Sequence, residues 1–508
     1  MSAMHRSTLM RLAVTAAAGA VLLGCTETVY KDFPGFAPPP TGAGEYVGYS
    51  TTSSKLTTCG NCHASHQALW ITAKHSTAWA DLQASGHASS TCNMCHTVNT
   101  SGNDTNTTAT GGYLGSTNER YQDVQCEACH GPGQEHVNNP ETKATQPVPS
   151  IHVWVGVKTS CSGCHTGGFD PFVDEWSHSS HGLMPNIAHT LGNATCQPCH
   201  SGQGAIRVTM GVTTTDYKEM NNPLTTYDTL ANGTRLGTAT LGIVCAVCHD
   251  PHGSPNLAQT RFPPDTQDVT QNLCARCHNY NASPTSATTY RGPMAYEGPL
   301  VIGTNLVGWR PPNMTVDNIH GSHGDTTVNK TLCATCHLAK TSITDSSGNT
   351  FNSTGHLFLA IPCTDAFGKP VPGDCAETSR TFAACTASGC HGAGVAKTLM
   401  DTEVIVINSD LTQLYTKLQA VANSVKPGYG CAVFTSTTGS PWTTARGARF
   451  NYLLAAAAGT APAGQPCGNN LALPPAVSKL GSAVHNVPLM EQLLVNSLAQ
   501  LNTDYPSP

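Results

Sequence analysis

Cys126-Glu127-Ala128-Cys129-His130 decides how this chain is read: two thiols three positions apart, followed at once by an imidazole. Working outward, the pattern recurs at Cys59/Cys62/His63, Cys92/Cys95/His96, Cys161/Cys164/His165 and Cys196/Cys199/His200. It recurs again at Cys245/Cys248/His249, Cys274/Cys277/His278 and Cys333/Cys336/His337, eight copies in all. Two thiols at this spacing can add to the two vinyl groups of one porphyrin, and the adjacent imidazole is then held against the ring as an iron ligand. Zinc knuckles also use Cys-x-x-Cys but place no demand on the next residue. With 23 His in 508 residues, eight chance His neighbours have a probability on the order of 10⁻¹¹. The motifs therefore predict covalent haem c.

A ninth site is expected at Cys385-Thr386-Ala387-Ser388-Gly389-Cys390-His391, where two extra residues separate the thiols and Gly389 supplies backbone freedom; a local disulfide beside an incidental His is the other reading. Nine sites use 18 of the 23 Cys. Apart from Cys25, the remainder pair most simply as Cys363 with Cys375 and Cys431 with Cys467, as an oxidising compartment permits. Six-coordinate iron asks for a second imidazole at each site, and 13 His lie outside the motifs and the N-terminal leader. His136 and His252 follow Gly-Pro or Asp-Pro turns just after a motif, and His75 and His181 each stand five residues after a Trp (Trp70, Trp176). These four, with His87, His320, His323, His356 and His485, are the expected distal ligands; His66, His152, His178 and His189 rank below them.

The order motif, Trp, His, motif, motif, His occurs from Cys59 to His136 and again from Cys161 to His252, which reads as a duplicated three-haem unit. The expected organisation is a leader over 1–24, a Pro/Gly-rich tether over 25–58, and haem modules over 59–160, 161–300 (four motifs) and 301–395 (two motifs). A helical cap follows over 396–508, where apolar residues recur at helical spacing (Leu411, Leu414, Tyr415, Leu418, Val421; Phe450, Leu453, Leu454; Val487 to Leu501). The expected fold class is a multihaem cytochrome c: mostly irregular, with short α-helices wrapped around stacked haems. Composition agrees. Only 6% of residues are aromatic and 11% charged, against roughly 25% charged in ordinary soluble domains, so cofactor rather than aromatic side chains fills the interior. Scattered Lys and Arg and a net charge of −6 form no basic stripe and exclude nucleic acid as a partner.

Arg6 and Arg11 precede the apolar run Leu12–Leu23, too short to span a bilayer and suited to export. Leu22-Leu23-Gly24-Cys25 resembles a bacterial lipobox, which implies a lipid on Cys25. Tyr121-Gln122-Asp123-Val124-Gln125 leading into Cys126–His130, Gly131-Pro132-Gly133 and His136 is similar to a segment of the cytochrome c554 family. The whole resembles the multihaem cytochromes that dissimilatory metal-reducing bacteria place at the outer membrane. His485-Asn486 with Leu493-Leu494 and Ser497 resembles the C-terminal helices of multihaem nitrite and hydroxylamine enzymes, but no Cys-x-x-Cys-Lys motif occurs. The resemblance implies long-range electron transfer without catalysis, toward extracellular metal or electrode acceptors, with other cytochromes and an outer-membrane porin as partners. A subunit of an extracellular cytochrome filament, and a reductase of nitrogen or sulfur oxides with one open haem, are the alternatives it leaves.

Overall fold

Glycine and proline interrupt the chain so often that helices before residue 395 are two turns or less, as in Ala64–Trp70, Ala78–Ala84 and Phe172–Ser177. The computed structural model describes residues 36–104, 110–168, 170–183, 195–212, 217–221, 241–284, 293–303, 307–315, 319–344, 348, 350–387, 389–392, 394–434, 443–456 and 483–506. Its sheets, among these residues, are three two-stranded antiparallel hairpins: Tyr49–Thr51 with Leu56–Thr57, Thr341–Thr344 with Thr350–Ser353, and Cys363–Thr364 with Pro370–Val371. The expected Cys363–Cys375 disulfide closes the third hairpin. Cys431 is also disulfide-bonded; Cys467, its expected partner, lies outside the described residues, as do the leader and Cys25.

The long regular elements come last: α1 (Val395–Asn423), α2 (Thr444–Ala456) and α3 (Val487–Asp504). Leu411, Leu414, Leu418 and Val421 form one stripe of α1 and are fully buried against Tyr452 and Leu454 of α2 and Leu489, Leu493 and Leu494 of α3. Each buried leucine contributes about 1.5–3 kcal/mol. The three-helix unit is fastened to the motif-bearing chain by two buried asparagines. Asn451 Nδ2 donates to Trp309 O and its Oδ1 accepts from Trp309 N, both at 2.7 Å. The Trp309 ring lies flat on Gly447, where a Cβ would come within 2.1 Å of it. Asn486 caps α3 by accepting from Leu489 N at 3.2 Å, and its Nδ2 donates to Leu300 O and Ile319 O.

Smaller apolar clusters sit among the motifs, one around Val173, Trp176, Ile206 and Val244, another around Tyr46, Val98 and Tyr121. Between them runs one continuous cavity of 3880 Å³, several times the ~300–1,000 Å³ of an ordinary small-molecule site. Cysteines of every motif except the first line it.

Candidate cofactor sites

Each motif closes as one helical turn. The His N–H donates to the carbonyl of the first Cys at 2.9 Å in His63, 2.8 Å in His165, 3.0 Å in His200 and 2.9 Å in His249 and His278. That turn puts residues one, four and five on one face, so both sulfurs and the imidazole address the same space. In the widened motif, His391 N still bonds Cys385 O at 3.3 Å, and Gly389 adopts φ +74°. The closing contact survives the two extra residues.

Cys62, of the first motif, is placed differently from most of the other attachment sulfurs. It is exposed, and neither it nor Cys59 lines the cavity that the other motifs share. The turn itself is sound, with Cys62 N donating to Cys59 O at 3.1 Å. Cys390 of the last motif is exposed as well, although it does line the cavity. Exposure of thiols thus falls on the two ends of the series.

Numbering the sites one to nine in chain order, seven motif imidazoles face a second imidazole at one recurrent separation. Ring centres are 6.2 Å apart in His165–His75, His130–His252, His278–His181, His337–His485 and His391–His323, 6.4 Å in His63–His136 and 6.5 Å in His249–His356. A metal–imidazole bond is about 2.0–2.1 Å, so two rings sharing one ion stand with centres roughly 6.2–6.4 Å apart. Direct stacking would bring them closer. The residues present therefore fit bis-imidazole iron without rearrangement.

Burial favours the neutral form, the one that ligates a metal, in three of the facing imidazoles. His75, His181 and His356 are each driven down to about 4, first by burial and then by the imidazoles facing them. Among the motif imidazoles, burial lowers His130 and His249. Desolvation acts on half-buried His165 too, but Asp170 at 2.5 Å holds it above its usual value, and Glu297 does the same for His278.

The remaining expected ligands are placed differently. His87 and His96 both line the cavity, yet among the described residues no imidazole ring faces His96. His320 is exposed, with Nδ1 donating to Ile302 O at 2.7 Å. His200 lines the cavity. His66, ranked low from sequence, packs its ring 4.5 Å from that of His252; its 6.2 Å to His63 follows from their spacing along one helical turn. His178 donates back to Asp174 O, and His189 lies outside the described residues.

Neighbouring motif sulfurs order the sites in space. Cys59 adjoins Cys126, Cys161 adjoins Cys245, and Cys274 adjoins Cys333. Cys95 adjoins Cys164, and Cys199 adjoins Cys277. Cys129 lies near Cys161, Cys248 near Cys274, and Cys336 near Cys385. The path is thus 1–3–4–6–7–8–9, with site 2 branching from site 4 and site 5 from site 7. The adjacencies 1–3, 3–4 and 2–4 of the first repeat recur as 4–6, 6–7 and 5–7 in the second, and 7–8 and 8–9 continue the series where the third lacks a middle site. Hydrogen bonds repeat with it. Trp70 Nε1 donates to Val124 O at 2.9 Å and Trp176 Nε1 to Ile243 O at 2.7 Å, each acceptor two residues before a motif. Val124 N and Ile243 N in turn donate to His75 O and His181 O.

Sequence reasoning missed the carboxylates that hold this arrangement. Glu127 accepts from Val47 N, Gly48 N and Gly133 N, and Glu175 from Thr354 N, Thr354 Oγ1 and His356 N. Asp170 and Glu297 were equally silent, since nothing local in the sequence marks a contact made across a fold.

Two family models match the chain: one described as cytochrome c554 and c-prime over residues 58–131, and one described as a doubled CXXCH motif over residues 240–283. No curated protein and no solved structure matches it significantly. Motif turns, facing imidazoles and both matches together define a protein that binds haem c and transfers electrons. The chain is a multihaem c-type cytochrome.

Proposed function

We propose that this chain is an exported electron conductor carrying nine haems, and that His75, His136, His181, His252, His323, His356 and His485 are distal ligands. One observation carries the reading: seven motif imidazoles face a second imidazole at the separation two ligands of one ion adopt. Haem c, when bound, supplies a one-electron iron couple and transfers no group. The 18 motif sulfurs would hold the haems at fixed positions, and their adjacency would set the route. The paired imidazoles would both hold the iron of such a group, and two imidazole ligands favour low potentials and leave no place for a small molecule. Apolar walls from Val173, Trp176, Ile243 and Leu273 exclude water from the cavity and so limit reorganisation on charge transfer.

The leader run, the lipobox-like Leu22–Cys25 and the tether support attachment at the outer membrane through a lipid on Cys25. No helix among the described residues is long and apolar enough to cross a membrane. Loss of the two leader arginines takes the chain to a net charge of about −8, and propionates add to it, which suits cationic metal acceptors. Replacement of Cys25 by Ala releases the protein from the membrane fraction if this anchoring holds.

His96 favours a second reading, in which an open iron at site 2 admits a small nitrogen or sulfur oxide. Carbon monoxide titration of the dithionite-reduced protein, read against a haem count, separates the two. No bound gas means every iron is six-coordinate, with the exposed His87 closing onto site 2, and the conductor reading stands. One equivalent per nine haems identifies an open centre and moves the protein to the reductase class.

A further inference from the structure

The Nδ1 partner of six motif imidazoles divides the sites into two kinds. His96, His130, His249 and His337 donate to backbone carbonyls (Ala78 O, Pro147 O and Ala258 O at 2.8 Å, Phe358 O at 2.9 Å). His165 and His278 donate instead to carboxylates, Asp170 Oδ2 at 2.5 Å and Glu297 Oε2 at 3.3 Å. Neither carboxylate is paired with a Lys or Arg among the described ion pairs. Asp250 is the contrasting case: it stands 3.5 Å from the distal His252, but Arg261 neutralises it at 3.1 Å.

These two sites share a place in the fold. Site 4 and site 7 each open a repeat, each face an imidazole of the preceding repeat (His75, His181), and each adjoin three other sites. They are the two branch points of the array. Their carboxylates arrive by unrelated routes. Asp170 lies five residues beyond His165 ahead of helix Phe172–Ser177, whereas Glu297 lies nineteen beyond His278 and opens helix Glu297–Ile302. Repetition of sequence does not explain the match.

We propose that Asp170 and Glu297 are positioning residues that make the two branch-point sites the lowest-potential centres of the array. An imidazole that donates to a carboxylate takes on partial imidazolate character, becomes a stronger donor to the iron on its other nitrogen, and stabilises the ferric state. A neutral carbonyl does this less. An electron reaching a branch point from any of its neighbours then leaves it downhill, so charge does not collect where the paths meet. The inference rests on the conductor reading above.

The test uses full-length, haem-loaded Asp170→Asn and Glu297→Gln proteins and their double variant. The amide keeps an acceptor oxygen and removes the charge. Potentials are read by optical spectroelectrochemistry, with the haem number counted chemically on the same samples. Each single variant is expected to move one ninth of the absorbance change from the most negative end of the titration to more positive potential. The double variant moves two ninths, Asp170→Glu stays at the negative end, and Asp268→Asn on the surface moves nothing. Unchanged titrations at full haem count overturn the proposal, as does loss of the same haem in both Asp170→Asn and Asp170→Glu, which marks a merely structural role. A wild-type count well below nine haems overturns the conductor reading instead.

Discussion

Glu175 joins the second repeat to the loop that presents His356, and its replacement tests how the array is held. The carboxylate is 7% exposed and accepts three hydrogen bonds, from Thr354 N at 2.9 Å, Thr354 Oγ1 at 2.8 Å and His356 N at 2.8 Å. Hydrogen bonds to a charged partner contribute about 1.5–3 kcal/mol each. Glu175→Gln keeps one acceptor oxygen but turns an amide N–H₂ toward at least one donor, so one buried donor is orphaned and the others lose charge assistance. The expected cost is about 2–4 kcal/mol in guanidinium unfolding of the haem-loaded protein. The second consequence is local. Once its backbone is released, His356 withdraws from His249, and the reduced variant binds one more equivalent of carbon monoxide than the wild type. A variant within about 0.5 kcal/mol of wild type, the range of ordinary surface changes, with an unchanged gas stoichiometry would refute the clamp.

Burial pushes the Glu127 carboxyl up to about 7, against the lowering effect of Gly48 N, Val47 N and Gly133 N. The folded state therefore keeps a proton that the unfolded chain releases near pH 4.5, and stability declines by up to about 3 kcal/mol as pH rises from 4.5 to 7, then levels. Unfolding free energies across that range should lose this slope in Glu127→Gln. Trp70→Phe and Trp176→Phe remove equivalent bonds, so each is expected to cost a similar ~1.5–3 kcal/mol from hydrogen bond and packing together; a tenfold disparity in unfolding constant between them would sink the repeat as a mechanical unit. Gly389→Ala forces a side chain into φ +74°, and mass spectrometry should show a fraction of molecules short of one haem, since the widened turn no longer closes on Cys385 O.

What the sequence disclosed, and what it withheld, follows from the range of the interaction involved. Covalent attachment is local chemistry, so nine motifs can be read residue by residue, and the closing turn around each confirms the local geometry. Whether a sulfur such as that of Cys62 is covered depends on distant chain, and no local pattern announces it. Helices α1 to α3 were legible because they bury one another's apolar stripes, an arrangement that 3.6-residue spacing announces. Local context picked out four of the imidazoles that face a motif: a Trp five residues earlier marks His75 and His181 because that Trp bonds the segment entering a motif and so fixes the ring nearby. Five more were expected without such context, and of these His323, His356 and His485 face a motif imidazole whereas His87 and His320 are not seen to. Which motif each imidazole faces was not legible at all, because it depends on how repeats stack.

That stacking gives the C-terminal helices their reason to exist. His130 of the first repeat faces His252 of the second, and His249 of the second faces His356 of the third. In the other direction, His165 faces His75 and His278 faces His181, each one repeat back. Four sites are thus faced from a neighbouring repeat, and the two ends of the array are served differently. At the start, His63 turns to His136 within its own repeat. Toward the finish His337 is faced by His485, on the turn that Asn486 pins to Leu300 O and Ile319 O at the head of α3. The same turn supplies Val484 O to His323 Nδ1, which steadies the ring facing His391. The helical segment therefore does for the last two sites what a next repeat does for the others, as terminal caps do in solenoid proteins. Apolar packing of α1, α2 and α3 stabilises the segment that carries that turn.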